Sequence, residues 1–134
     1  LAPDERALTI RAHVWLLAAR IALRLIPFRV LRRFVDSRRP PAAPRPDGWP
    51  AAVRRAMQRA SRSLPGSTCL ASALAAEVLL RAGGHPAMLT IGVAGGGQSI
   101  PLDAHSWVVS GGLVVAGDGE LDKYTAIVRF GADE

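Results

Sequence analysis

Cys69 and His105 are the two residues whose side chains could carry out covalent chemistry in this chain. Cys69 lies in residues 67–70 (STCL), at the first turn of a predicted helix. The unpaired backbone N–H groups and the dipole of a helix start favour an anion, and the thiolate is the nucleophilic form of cysteine. His105 follows in residues 103–107 (DAHSW) of a predicted strand. An imidazole can take the thiol proton and return it to a leaving amine, so the two residues predict a nucleophile and its base.

A third side chain should hold the imidazole in one tautomer, as a carboxylate does in catalytic triads. Asp118 follows a predicted strand that pairs with the strand of His105 if the two join through residues 111–112. Asp103 is two residues from His105 and on the same face of its strand. The order of preference is Asp118, then Asp103, then Glu120 or Asp122.

Cys69 and His105 also have a purely structural interpretation. A lone cysteine is usually a small buried apolar residue, and a histidine on a strand is usually structural. The single cysteine excludes an internal disulfide, and three histidines with one cysteine form no zinc pattern, so we expect neither metal nor cofactor. We interpret His13 and His85 as surface or packing residues.

The elements that must position these residues are helices first and strands afterwards. Residues 4–35 read as helix, broken near Ile26 because Pro27 starts a second helix. Further helices are predicted over residues 51–63 and 68–82, and strands over 87–94, 102–109, 113–116 and 125–130. This order predicts an α+β fold with a small antiparallel sheet. An apolar stripe on the first helix consists of Ile10, Val14, Leu17, Ile21 and Leu25. We expect it to face the core for most of its length, and docking of a partner protein is the alternative.

Charge and proline content divide the chain into two parts. Residues 1–62 hold 14 of the 17 basic residues and four acids, whereas residues 63–134 hold three basic residues and seven acids. We therefore expect a basic helical region at 1–63, with a proline-rich linker at 36–50, ahead of a core at 64–134. The apolar run 14–25 is too short and too charged to span a bilayer, and we expect a cytoplasmic protein.

Several runs of this sequence resemble the leader peptidases of lasso-peptide biosynthesis, the B proteins. These runs are 68–74 (TCLASAL), 79–87 (LLRAGGHPA), 91–93 (IGV) and 104–108 (AHSWV), in this order. The resemblance covers residues 64–130 well and residues 1–63 loosely. It implies N-terminal helices on a transglutaminase/papain-like core with a Cys-His-Asp triad, here Cys69, His105 and Asp118. The acid of that family usually follows the histidine by about twelve residues, a position that is Gly117 here.

The resemblance also implies a function and partners. Family members remove the leader peptide from a ribosomally made precursor before macrocyclisation, and split members work with a separate leader-recognition protein. The expected partners are the precursor leader, that recognition protein and, as a further candidate, the lasso cyclase, with neither nucleic acid nor membrane. Two alternatives stay open: acyl transfer or amide hydrolysis on glutamine side chains, and a non-catalytic basic module that binds peptide or nucleic acid.

Overall fold

Four helices precede a four-stranded sheet in the chain. The computed structural model describes residues 2–66, 68–95, 102–117 and 123–131. The helices are α1 (Pro3–Leu25), α2 (Phe28–Ser37), α3 (Trp49–Ser63) and α4 (Cys69–Ala82). Each begins where the sequence offers a start signal: Pro27 immediately precedes α2, Pro50 lies in the first turn of α3, and Thr68 caps α4 with its side chain. The predicted helices and the break between the first two are confirmed.

The sheet is antiparallel throughout, with the strand order β3-β2-β1-β4. Its strands are β1 (Met88–Ala94), β2 (Asp103–Ser110), β3 (Leu113–Ala116) and β4 (Thr125–Gly131). Gly111 and Gly112 both have positive φ, +56° and +82°, which suits the two-residue hairpin between β2 and β3. The predicted α+β class and its small antiparallel sheet are therefore confirmed.

The core lies between the helices and one face of the sheet. Side chains of α4 such as Leu79 and Leu80 are fully buried, and they share one apolar cluster with Leu89 of β1 and Val108 of β2. Helices α1 and α3 belong to the same cluster through Leu16 and other residues. The basic helical region thus packs on the part of the chain that carries Cys69 and His105.

The outer stripe of α1 does not face this core, so that prediction is wrong. The buried residues of the helix are Leu8, Ala12 and Leu16, on its other side. The stripe residues are exposed, from 46% for Leu17 to 77% for Leu25. Helix α1 is therefore apolar on two sides and packs through the side that carries Leu8, Ala12 and Leu16. Among the described residues, no helix combines the length and the apolar character that crossing a bilayer requires.

The proline-rich segment is held against the C-terminal end of α4. The N–H of Arg45 donates to the carbonyl of Gly83, and the indole N–H of Trp49 donates to the carbonyl of Leu79 at 2.9 Å. His85 Nε2 lies 2.8 Å from the carbonyl oxygen of Arg45. The structural interpretation of His85 is therefore consistent with its contacts, since it ties this segment to the turn after α4.

A buried ion pair joins α2 to α4. The two terminal guanidinium nitrogens of Arg32 donate to the carboxylate of Glu77, at 2.5 and 3.0 Å. The side chain of Glu77 is 0% exposed. Arg32 also bonds Asp36 at 2.6 Å, while Arg81 lies 3.8 Å from Glu77. Burial raises the pKa of the Glu77 carboxyl, and the hydrogen bonds and charge of Arg32 act against that shift.

Candidate active site

Cys69 is the first residue of α4, and its local structure follows from Thr68. The Thr68 side chain accepts a hydrogen bond from the N–H of Ala71 at 3.1 Å, and its carbonyl accepts from the N–H of Ser72. Within the described residues, the N–H groups of Cys69 and Leu70 are left without an acceptor. These two donors and the positive end of the helix dipole lie beside the half-buried thiol.

The thiol opens onto a cleft of about 330 Å³ between α3, α4 and the edge strand β3. The residues that line it are Met57, Gln58, Ser61, Arg62, Cys69, Ser72, Val115, Ala116 and Gly117. Helix α3 contributes the polar residues Gln58, Ser61 and Arg62 to this lining, and β3 with the residue after it contributes Val115, Ala116 and Gly117. An extended peptide could therefore lie across Cys69 against the end of the edge strand.

The residue directly after this edge strand, Gly117, contacts the ring of His105. The Nε2 of His105 lies 2.8 Å from the carbonyl oxygen of Gly117, which also lines the cleft of Cys69. A carbonyl can only accept, so Nε2 must carry the proton, and in the neutral ring Nδ1 is then a free base. Gly117 has φ +87°, and a Cβ there would overlap the carbonyl oxygen of Ser106. The acceptor position is therefore one that glycine suits best.

Gly117 thus lines the cleft of Cys69 and contacts the ring of His105. The hydrogen bonds of the described residues include none between the thiol and the imidazole. Burial alternates along β2: Ser106 and Val108 are buried, whereas His105 and Trp107 are half-buried on the other face of the strand. The pair therefore stays a prediction.

An aromatic cluster covers the half-buried face around His105. The ring centroid of Tyr124 lies 5.2 Å from that of His105, and the ring of Trp107 lies 6.0 Å from it. The Tyr124 hydroxyl donates to Asp103 at 2.5 Å. Asp103, the second choice for the orienting acid, is therefore an exposed partner of a tyrosine beside the ring. Sequence reasoning passed over Tyr124 because it stands alone, outside any motif.

The remaining predicted acids have no described position. Asp118, Glu120 and Asp122 lie outside the described residues, so Asp118 stays a prediction that follows directly on Gly117 in the chain. The twelve-residue spacing does lead to the group that contacts the imidazole, but this group is a backbone carbonyl. Among the described residues, no group of three or more potential metal ligands comes together.

Comparison with known proteins agrees with this arrangement of helices, sheet and cysteine. The family model of the transglutaminase-like superfamily matches residues 13–129, which is most of the chain. The chain therefore belongs to the transglutaminase-like superfamily, whose members usually work through a cysteine. No curated protein and no solved structure gave a match.

Proposed function

We propose that this chain is a cysteine peptidase that removes the leader peptide from a ribosomally synthesised lasso precursor before macrocyclisation. The observation that carries the enzymatic part is the position of Gly117, which lines the same cleft as Cys69 and contacts the ring of His105. The substrate is proposed from the resemblance of residues 64–130 to the lasso leader peptidases. The superfamily itself also includes acyl transfer and amide hydrolysis.

In the proposed reaction, Nδ1 of His105 takes the proton of the Cys69 thiol. The thiolate attacks the scissile carbonyl, and the imidazolium then gives its proton to the leaving amine as the C–N bond breaks. Water, deprotonated by the same imidazole, hydrolyses the thioester and frees the leader with a carboxyl end. Catalytic hydrogen bonds of free enzymes often form only in the substrate complex, and the thiol–imidazole contact is proposed to form in this way.

The start of α4 would stabilise the charge that develops on the substrate. The backbone N–H groups of Cys69 and Leu70 point out of the first turn and are available to the carbonyl oxygen of a peptide in the cleft. One such donor typically contributes about 3 kcal/mol to the stabilisation of a transition state. Arg62 adds a positive charge to the same cleft.

Partners are part of the proposal. The precursor leader is the substrate, a separate leader-recognition protein presents it, and the lasso cyclase is a candidate for receiving the freed core peptide.

Cleavage of the precursor tests the proposal. The purified chain is incubated with the precursor and recognition protein encoded beside it, and the products are read by mass spectrometry. We expect one cut in wild type, none in Cys69→Ala or His105→Ala, and unchanged cleavage in His13→Ala, the matched histidine control on α1. A Cys69→Ala variant that cleaves like wild type would contradict the proposal.

A second measurement distinguishes peptide-bond hydrolysis from acyl transfer on glutamine side chains. Labelled amine and a glutamine-donor peptide replace the precursor in the same mixture. Incorporation of the amine without precursor cleavage would show that the acyl-transfer alternative is correct.

A further inference from the structure

Helix α1 carries an apolar surface that is exposed in the part of the chain that the structure describes. We call Ile10, Val14, Leu17, Ile21 and Leu25 the α1 stripe; all five are between 46% and 77% exposed. They recur at intervals of three or four residues, so they form one continuous row along the helix. A helix at the surface of an isolated protein normally presents a polar outer face, and large exposed apolar patches mark interaction sites.

The stripe continues into a groove between α1, α2 and α4. The groove has a volume of about 390 Å³. The side chains that line it are all apolar or aromatic: Trp15, Ala18, Ala19, Ala22, Ile26, Val30, Leu31, Phe34, Val35, Leu74, Ala75 and Val78. Its rim is open to solvent, since Phe34 is 48% exposed and Val30 is 43% exposed. The α1 stripe forms a ridge and the groove lies beside it. This shape can receive the side chains of an apolar partner helix.

The charges beside this surface are positive. The guanidinium of Arg38 lies over the rings of Trp15 and Phe34, with distances of 5.2 and 5.5 Å to the ring centroids. Arg24, Arg29 and Arg33 are exposed on the same two helices. The acids of these helices are Asp4 and Glu5 in the first turn of α1, and Asp36, which is bonded to Arg32. A partner that carries acidic residues beside its apolar ones would fit this surface best.

We propose that the α1 stripe and the adjoining groove form the docking surface for an amphipathic, acidic helix of another protein. Charge argues against a second copy of this chain, because two such surfaces would bring their arginines together. Shape argues against a bilayer, because a flat interface would leave the groove unfilled. The surface is independent of the proposed peptidase chemistry, and a recognition protein is one partner whose docking it would explain.

A designed peptide provides the probe. It is a fluorescent amphipathic helix of roughly five turns with leucines on one face and glutamates on the other. The matched control peptide has lysine in place of every glutamate. We expect the acidic peptide to bind the 134-residue chain in fluorescence anisotropy, at least roughly tenfold more tightly than the lysine peptide, and binding to weaken with added salt.

Two variants of the chain locate the binding. In the stripe variant, Val14→Ser, Leu17→Ser and Ile21→Ser are combined, and affinity should fall at least roughly tenfold because buried apolar contact is lost. The control is Ile127→Ser on β4, which removes an equally exposed isoleucine (62%) away from the stripe and should bind like wild type. Circular dichroism checks that both variants fold, since the changed residues lie at the surface.

Four results would overturn the proposal. The first is that the acidic peptide does not bind the wild-type chain. The second is that the lysine peptide binds as tightly as the acidic one, or that Ile127→Ser lowers the affinity as much as the stripe variant does. The third is binding of the chain to phosphatidylserine vesicles that the stripe variant abolishes, without peptide binding, which would identify a membrane surface. The fourth is a wild-type dimer in sedimentation that the stripe variant dissociates, which would identify a second copy as the occupant.

Discussion

The Nε2 nitrogen of His105 lies 2.8 Å from the carbonyl oxygen of Gly117, and Gly117 also lines the cleft onto which the Cys69 thiol opens. A backbone carbonyl can orient an imidazole as a carboxylate does, but it carries no full charge to stabilise the imidazolium. The contact therefore explains how the ring is oriented. Asp118 stays the candidate for adding a charge next to it.

The first prediction is that the neutral ring of His105 carries its proton on Nε2. His85 should share this tautomer, because its Nε2 also faces carbonyl oxygens. His13 should have the opposite one, since its Nδ1 lies 2.7 Å from the carbonyl oxygen of Thr9. Long-range ¹H–¹⁵N spectra of the imidazoles above their titration range distinguish the two forms. An Nδ1–H form of His105 would rule out the contact with Gly117 and leave no free base at Nδ1.

The second prediction concerns Gly117→Ala. Its φ of +87° strains any side chain, and the added methyl would also overlap the carbonyl of Ser106. Gly112→Ala is the matched control, with φ +82° and nothing within 4 Å of the added atom. We expect about 1–2 kcal/mol of destabilisation for Gly112→Ala from the left-handed backbone alone, and a larger loss for Gly117→Ala. Urea unfolding gives both values.

Gly117→Ala should also change the site, whereas Gly112→Ala should not. The displaced carbonyl releases the ring of His105, so the imidazole spectrum should show a mixture of tautomers, and cleavage should fall together with alkylation of Cys69. Equal effects of the two alanine substitutions on the spectrum would show that Gly117 does not hold the ring.

The element boundaries could be predicted from the sequence because their signals are local. Pro27 and Pro50 begin helices, Thr68 has a side chain that caps one, and the paired glycines 111–112 form a hairpin. The packing of α1 could not be predicted in this way. Periodicity identifies an apolar face, but this helix has two, and α3 and α4 pack against the one that carries Leu8, Ala12 and Leu16.

A candidate site could be proposed from the sequence only as far as residue types indicate chemistry. Cys69 and His105 were proposed from their types and from their predicted positions on a helix and a strand. The acceptor at His105 is a main-chain carbonyl, which every residue possesses, so no residue type could indicate Gly117. Tyr124 was missed for a related reason: its contact with His105 depends on how β4 is placed beside β1, which is a property of the tertiary structure.

The third prediction tests how the chain after the proline-rich segment packs against the end of α4. A Cβ on Gly83 would overlap the indole nitrogen of Trp49, which donates to the carbonyl of Leu79. Gly83→Ala should therefore cost about 1–3 kcal/mol of unfolding free energy, as overpacking usually does. Gly48→Ala is the control, with φ −74° and open space around the added atom, and should stay within about 0.5 kcal/mol of wild type. Equal stabilities in urea would show that Trp49 does not occupy this position.

The fourth prediction uses the buried ion pair. Arg32→Met removes the only described group that contacts both carboxylate oxygens of Glu77, and leaves the carboxylate buried with Arg81 at 3.8 Å. Breaking a buried pair from one side typically costs about 3–5 kcal/mol, because the remaining charge is uncompensated. Without Arg32, burial acts almost unopposed and raises the pKa of Glu77 further.

The sign of the pH dependence follows from that shift. A carboxyl whose pKa is higher in the folded state favours folding when it is protonated, so its contribution is complete below its unfolded pKa and is lost as the pH rises through the folded pKa. The stability deficit of Arg32→Met should thus be small near pH 4 and grow toward pH 8. Urea unfolding across this range measures it. Arg32→Met combined with Glu77→Leu has no carboxyl to ionise there, so its free energy of unfolding should vary less with pH than that of Arg32→Met alone. A deficit of Arg32→Met that stays constant with pH would show that Glu77 is not buried as a charge.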